Sequence, residues 1–103
     1  MAVIKEFKGA NFNFDEATAS GTVLVDFWAP WCSYCKVVAL SLAQAAQELP
    51  ENAVIVKVNV DENPELAARH NITTLPTLIV YRNGQETGRY GLLSKSRIVS
   101  LFQ

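Results

Sequence analysis

The chain's two cysteines, Cys32 and Cys35, are separated only by Ser33 and Tyr34. When residues i and i+3 lie on a helix, their Cβ atoms are about 5–6 Å apart on one face, and small adjustments bring them within disulfide range. Such a pair can open and close with little movement of the backbone. The spacing therefore predicts reversible exchange between a dithiol and a disulfide.

The two sulfurs are expected to differ in reactivity. Cys32 falls in the first residues of a predicted helix, where free N–H groups and the helix dipole favour an anion and lower the pKa of a thiol. Cys35 lies one turn further in and should be more buried. Exchange needs this asymmetry, because one sulfur attacks a target disulfide and the other resolves the mixed disulfide. The sequence predicts an exposed Cys32 as the attacking sulfur.

Other uses of the cysteine pair are less favoured. A purely structural disulfide that closes a loop of about four residues would stabilise the fold by only ~2 kcal/mol, against ~3 kcal/mol for a loop of fifteen residues. A closed zinc site needs four ligands, and this chain offers two cysteines and one histidine, His70, far from them in sequence. We expect no metal, although a cluster shared between two chains satisfies the ligand count.

Two charged residues interrupt apolar segments: Asp26 in TVLVDFW and Lys57 in AVIVKVNV. A charge buried in a sheet is costly unless it is paired or neutralised. If these segments are neighbouring strands, the two side chains could meet beneath the helix that carries Cys35. Asp26 would then be a buried carboxyl with a raised pKa that relays protons to Cys35. The alternative is that each charge reaches solvent or lies at a strand end.

The elements that must position these residues alternate in the order β-α-β-α-β-α-β-β-α. β-branched apolar segments predict strands, helical periodicity predicts helices, and Asn83-Gly84 predicts a hairpin turn. Asn11 or Asn13 would cap the first helix. Strand–helix–strand connections predict parallel pairing and the hairpin an antiparallel pair, within one mixed sheet covered on both faces. Strands are predicted at 2–7, 22–28, 53–60 and in the hairpin 76–91, and helices at 13–20, 64–70 and 94–102. The second helix shows its periodicity over 35–49, and Cys32 lies among its first residues.

Length and charge limit the function classes. The 103 residues fit a single domain, 1–103, and nine Lys and Arg balance ten Asp and Glu, without a basic patch for nucleic acid. The N-terminal segment lacks the apolar run of a signal peptide, and no apolar run approaches the roughly 18 residues of a membrane span. We expect a cytoplasmic, soluble domain that binds neither nucleic acid nor membrane.

Several segments together resemble the thioredoxin family in order and spacing: VLVDFWAPWC with the second cysteine and lysine after it, VKVNVDENPELAARHNI, TLPTLIVYRNGQ and GLLSK. The resemblance covers nearly the whole chain. It implies an α/β thioredoxin fold, with a central five-stranded mixed sheet flanked by four helices. It also implies a monomeric protein-disulfide reductase with no bound cofactor, acting in electron transport and cell redox homeostasis. Its partners would be disulfide-containing target proteins and a thioredoxin reductase that uses NADPH.

The same resemblance implies roles for individual residues. Cys32 would be the nucleophile and Cys35 the resolving cysteine. Asp26 would be the proton relay near Cys35, with Lys57 as its partner. Each of these assignments agrees with the chemistry inferred from the residues themselves.

A second set of residues is implied to shape the site. Pro76 would follow a cis peptide bond and pack against the disulfide, and Trp28 would pack under the site. The family usually has Gly-Pro between the cysteines, and this dipeptide sets the relative stability of dithiol and disulfide. We therefore expect Ser33 and Tyr34 to make the pair somewhat more oxidising. The expected substrate-binding residues are Trp31, Ser33, Tyr34, Thr74, Leu75 and Gly91.

Tyr34 also suggests a rival family, because glutaredoxins often carry an aromatic residue beside the second cysteine, and some Ser-Tyr versions hold an iron–sulfur cluster with glutathione. However, the downstream sequence YGLLSK is not the Gly-Gly-Asp type that grips glutathione, and WAPWC, Asp26 and Lys57 are thioredoxin features. A non-catalytic docking module would be expected to lose a cysteine, and both are present. The sequence thus favours a thioredoxin-type protein-disulfide oxidoreductase over both alternatives.

Overall fold

The computed structural model describes residues 1–9 and 13–103. In this part of the chain the predicted order of elements is confirmed. Asn13 caps the first helix, because its side chain accepts a hydrogen bond from the Glu16 N–H at 3.1 Å; the alternative cap, Asn11, lies outside the described residues. The strands are β1 Val3–Glu6, β2 Thr22–Trp28, β3 Val54–Asn59, β4 Thr77–Arg82 and β5 Gln85–Tyr90, and the helices are α1 Phe14–Ala17, α2 Ser33–Glu48, α3 Pro64–Arg69 and α4 Lys95–Ser100.

The strands form one mixed sheet in the order β1-β3-β2-β4-β5. Strand β3 pairs in parallel with β1 and with β2, whereas β4 pairs antiparallel with β2 and with β5. The predicted turn lies between β4 and β5, where Asn83 and Gly84 both have positive φ, 51° and 85°, as a two-residue hairpin requires. The predicted five-stranded mixed sheet is confirmed.

One prediction about the sheet is wrong. The connection through α3 does not lead to a parallel strand, because β4 runs antiparallel to β2 and therefore to β3. Helix α3 has six residues and rises only about 9 Å, whereas a six-residue strand spans about 20 Å. The helix alone does not carry the chain back along the sheet, and β4 begins at the sheet end where β3 finishes. This brings Leu75 against the two cysteines.

Strand β2 lies in the centre of the sheet and buries both of its faces. On one face Leu24 packs beneath α2 and α4, and on the other Phe27 packs with Phe14 of α1. Because side chains alternate along a strand, Asp26 shares the face of Leu24 and points toward α2. The nearly continuous apolar sequence of β2 thus positions one carboxyl under the helix that carries the cysteines. The α2 residues buried against the sheet are Cys35, Val38, Leu42, Ala45 and Ala46.

Candidate active site

The two cysteines lie at the start of α2 and are joined as a disulfide, with their Cα atoms 5.2 Å apart. Cys32 is the N-cap of the helix, and its Sγ accepts a hydrogen bond from the Cys35 N–H at 3.1 Å. The first N–H groups of a helix have no partner within the helix. One of them is directed at the sulfur of Cys32, which is where a negative charge would form after reduction.

Both cysteines are largely covered in the disulfide form. Cys32 is 7% exposed and Cys35 is 3% exposed, so the order of burial agrees with the prediction. The prediction of an exposed Cys32 is wrong for this form, because Cys32 packs with Ala29 and Leu75. Only a small part of the Cys32 surface therefore remains open to solvent in the disulfide form.

Two aromatic side chains stand at the rim of the site. Trp31 is 69% exposed and Tyr34 is 63% exposed. The Trp31 Nε1–H donates to the two carboxylate oxygens of Asp61 at 3.0 and 3.3 Å, which fixes the indole while its ring stays open to solvent. The sequence interpretation missed Asp61. Its position two residues after β3, at the sheet end that carries the cysteines, is the signal that could have identified it.

Two shallow grooves flank the disulfide and share Leu75. The first, of about 360 Å³, runs from Trp31 past Val60 and Ile72. The second, of about 330 Å³, is lined by Tyr34, Thr74, Leu75, Pro76, Gly91 and Leu92. Every predicted substrate-binding residue except Ser33, which is exposed at the helix start, lines one of them. Val60, Ile72 and Leu92 are groove residues that the sequence did not single out.

The loop that contributes to both grooves precedes β4. Its Leu75–Pro76 peptide bond is cis. The Thr77 hydroxyl donates to the Thr74 carbonyl oxygen at 2.7 Å, which ties the loop to the first residue of the strand. This loop holds Leu75 beside the cysteines and directs Thr74 toward the second groove.

Asp26 and Lys57 occupy matched positions on the neighbouring strands β2 and β3. Asp26 is fully buried, and neither of its carboxylate oxygens has a hydrogen-bond partner among the described residues. Burial raises the pKa of Asp26 from 3.8 to about 7, against a lowering by the charge of Lys57 and with a further raising by Glu6. The Lys57 ammonium lies over the Trp28 ring, 5.3 Å from its centroid, and does not contact the carboxylate.

A small cavity lies between Lys57 and Cys35. It has a volume of about 100 Å³ and is lined by Trp28, Cys35, Lys36 and Lys57, among others. Such a space is large enough to admit water between polar groups. Cys35 and Lys57 thus share a small space at the base of α2.

Other kinds of site receive no support from residues 1–9 and 13–103. Within these ranges, no three His, Cys, Asp or Glu side chains gather in a way that could hold a metal ion. Nor is any described helix both long and apolar enough to cross a bilayer. The cysteine pair and its surroundings are thus the arrangement with evident chemistry.

Comparison with known proteins decides between the families that the sequence suggested. The thioredoxin family model matches residues 3–103. This chain belongs to the thioredoxin family. It is 45% identical over 86 residues to the thioredoxin of Mycoplasma genitalium (strain ATCC 33530 / DSM 19775 / NCTC 10195 / G37), covering 82% of this chain and 83% of that protein. It is 41% identical over 85 residues to the thioredoxin of Bacillus subtilis (strain 168), covering 82% and 79%.

Solved structures agree with this assignment. The reduced Schistosoma mansoni thioredoxin pre-protein superposes with a TM-score of 0.81 at 29% identity, over 97% of this chain and 95% of that one. The predicted thioredoxin fold is therefore confirmed. So is the predicted enzyme class: the chain is a thioredoxin-type disulfide oxidoreductase with a redox-active pair at Cys32 and Cys35.

Proposed function

We propose that this protein reduces disulfide bonds of target proteins, with Cys32 as the nucleophile and Cys35 as the resolving cysteine. The observation that carries this assignment is the position of Cys32 Sγ at the N-cap of α2, where it accepts the Cys35 N–H at 3.1 Å. A thiolate at this position is stabilised by the helix terminus. Cys35, one turn further in, lacks that stabilisation and reacts second.

The exchange proceeds in two balanced steps. The Cys32 thiolate attacks one sulfur of the target disulfide, which forms a mixed disulfide and releases the other target sulfur as a thiolate. Cys35 then loses its proton and attacks the Cys32 sulfur. The second target thiolate leaves, and the Cys32–Cys35 disulfide forms. Two electrons have passed from this protein to the target.

The proton of Cys35 needs an acceptor, and Asp26 is the proposed relay. Its pKa, raised to about 7, lets the carboxyl both take up and release a proton near neutral pH, as general acid–base catalysis requires. The cavity that Cys35 and Lys57 both line supports this proposal, because it leaves space for water beside Cys35. Lys57 is the proposed partner that moderates the pKa of Asp26.

The two grooves beside the cysteines are the proposed docking surface for the target. A target segment would lie across Leu75 and place apolar side chains on either side of it. Trp28 and Pro76 are proposed to support the site from within. The remaining proposed contacts are Trp31, Ser33, Tyr34, Thr74 and Gly91.

The setting of the reaction is proposed from the family. A thioredoxin reductase would return the disulfide to the dithiol with electrons from NADPH, so that the protein acts in electron transport and cell redox homeostasis. We propose a monomer whose residues 1–103 form a single domain, working in the cytoplasm and binding neither nucleic acid nor membrane. The match to bacterial thioredoxins supports this setting.

Insulin reduction with two different electron sources tests the enzyme activity and the proposed reductase partner separately. With dithiothreitol, we expect this protein to accelerate insulin reduction at least about tenfold, a lowering of the barrier by about 1.4 kcal/mol. With NADPH and a bacterial thioredoxin reductase, insulin should drive NADPH oxidation. The protein with both thiols alkylated is the control for each arm. Turnover supported only by glutathione and glutathione reductase would contradict the proposal and favour the glutaredoxin-like alternative.

A further inference from the structure

Three charged residues form a row across three neighbouring strands. Glu6 of β1 is matched with Lys57 of β3, and Lys57 is matched with Asp26 of β2. Matched positions on parallel strands direct their side chains to the same face of the sheet. The row therefore lies on the α2 face and places one positive charge between two carboxylates.

The two ends of the row differ in environment. Asp26 is fully buried, whereas Glu6 is exposed on the edge strand and Lys57 is half-buried. The Lys57 ammonium lies over the Trp28 ring, and no ion pair of the described residues joins it to either carboxylate. The Lys57 ammonium can therefore interact electrostatically with both carboxylates, and neither of them holds it in an ion pair.

We propose that Glu6 is a positioning residue for Asp26: from the open edge of the sheet it competes for the Lys57 ammonium and so adds to the preference of the buried carboxyl for its protonated form. The effect of Glu6 on the charge of Asp26 follows from the row alone; its consequence for catalysis rests on the proposed proton relay. The direction of the electrostatic effect agrees with this proposal, because Glu6 raises the pKa of Asp26 and Lys57 lowers it.

The other elements packed around Asp26 supply no competing negative charge. Helix α2 contributes Cys35 and Lys36, which line the adjacent cavity. Strand β4 places the apolar Leu78 opposite Asp26, and α4 adds the apolar Ile98 to this face. Among the residues that the structure describes, Glu6 is the negative charge that acts on Asp26.

The test is a titration of the Asp26 carboxyl by NMR in the disulfide form, in which neither cysteine titrates. Strands β1 and β2 flank β3, so their matched residues are about 10 Å apart. At that distance, loss of one partly screened charge should lower the pKa of Asp26 by about 0.3–0.6 unit in Glu6→Gln. Glu6→Asp should restore most of the wild-type value. High salt should diminish the difference, because Glu6 is exposed.

Glu51→Gln is the matched control, because it removes the same charge from an exposed turn before β3 and Glu51 does not act on Asp26. An unchanged or higher pKa in Glu6→Gln, or an equal fall in Glu51→Gln, overturns the proposal. The pH profile of insulin reduction tests the relay separately. If the pKa of Asp26 falls but the profile does not move, Glu6 acts as proposed and the relay role of Asp26 is wrong.

Discussion

Replacing Cys32 with serine is expected to reduce the rate of insulin reduction by at least about tenfold, which is the whole catalysed acceleration, to the uncatalysed rate. A serine hydroxyl at this position is not ionised near neutral pH and cannot form the mixed disulfide on which the exchange depends. The measurement is the initial rate with dithiothreitol as the electron source. Retention of activity by Cys32→Ser would refute the assignment of the nucleophile.

Cys35→Ser distinguishes the two sulfurs. Cys32 can still attack a target disulfide in this variant, but nothing resolves the mixed disulfide, so a covalent adduct with the target should accumulate after one turnover. Mass spectrometry of the non-reduced protein would detect it. Val37→Ser is the control, because it introduces the same residue at an exposed position of α2 and should leave the rate unchanged.

The second large effect concerns stability and pH. Because the pKa of Asp26 is about 7 in the folded protein and 3.8 as its ordinary value, the unfolded chain releases this proton at lower pH than the folded one. The free energy of unfolding should therefore fall as pH rises from about 4 to 7 and stay low above that. About three pKa units at 1.36 kcal/mol each correspond to a loss on the order of 4 kcal/mol.

Asp26→Asn removes this dependence, because the amide has the shape of the protonated carboxyl and does not ionise. At pH 8 the variant should be more stable than the wild type by up to about 4 kcal/mol, and near pH 4 the two should be similar. Denaturant unfolding between pH 4 and 8 measures the free energy of unfolding of both proteins. Glu51→Gln is the control, and its free energy of unfolding should depend on pH as that of the wild type does. If the free energy of unfolding depended on pH in the same way in the wild type and in Asp26→Asn, ionisation of the buried carboxyl would not be the cause of the loss of stability.

The chemistry of the site was largely predictable because it depends on local patterns. The two-residue spacing of the cysteines and their place at a helix start are properties of a single short segment. The charges within the apolar strands were also visible in the sequence. Their proposed meeting required that Asp26 and Lys57 lie on neighbouring strands, and the two residues are directly paired between β2 and β3. Local sequence carries this information because burial on both faces requires an apolar strand in which any charge stands out.

Features that depend on long-range geometry were not predictable. The direction of β4 depends on where α3 returns the chain. The position of Lys57 over Trp28 joins residues distant in sequence, so no local pattern shows it. For the hydrogen bond from Trp31 to Asp61, the sequence offers only the place of Asp61 soon after a strand. The effect of Ser33 and Tyr34 on the redox potential stays a prediction. The potential depends on the free-energy difference between the dithiol and the disulfide, and the structure contains the disulfide.

The most direct test of the central claim is the pH dependence of thiol alkylation in the reduced protein, resolved for each cysteine by peptide mapping with iodoacetamide. We expect Cys32 to react first, with a rate that rises well below the ordinary thiol value of about 8.5, and Cys35 to react slowly throughout. Faster alkylation of Cys35, or a Cys32 that ionises like an ordinary thiol, would contradict the account.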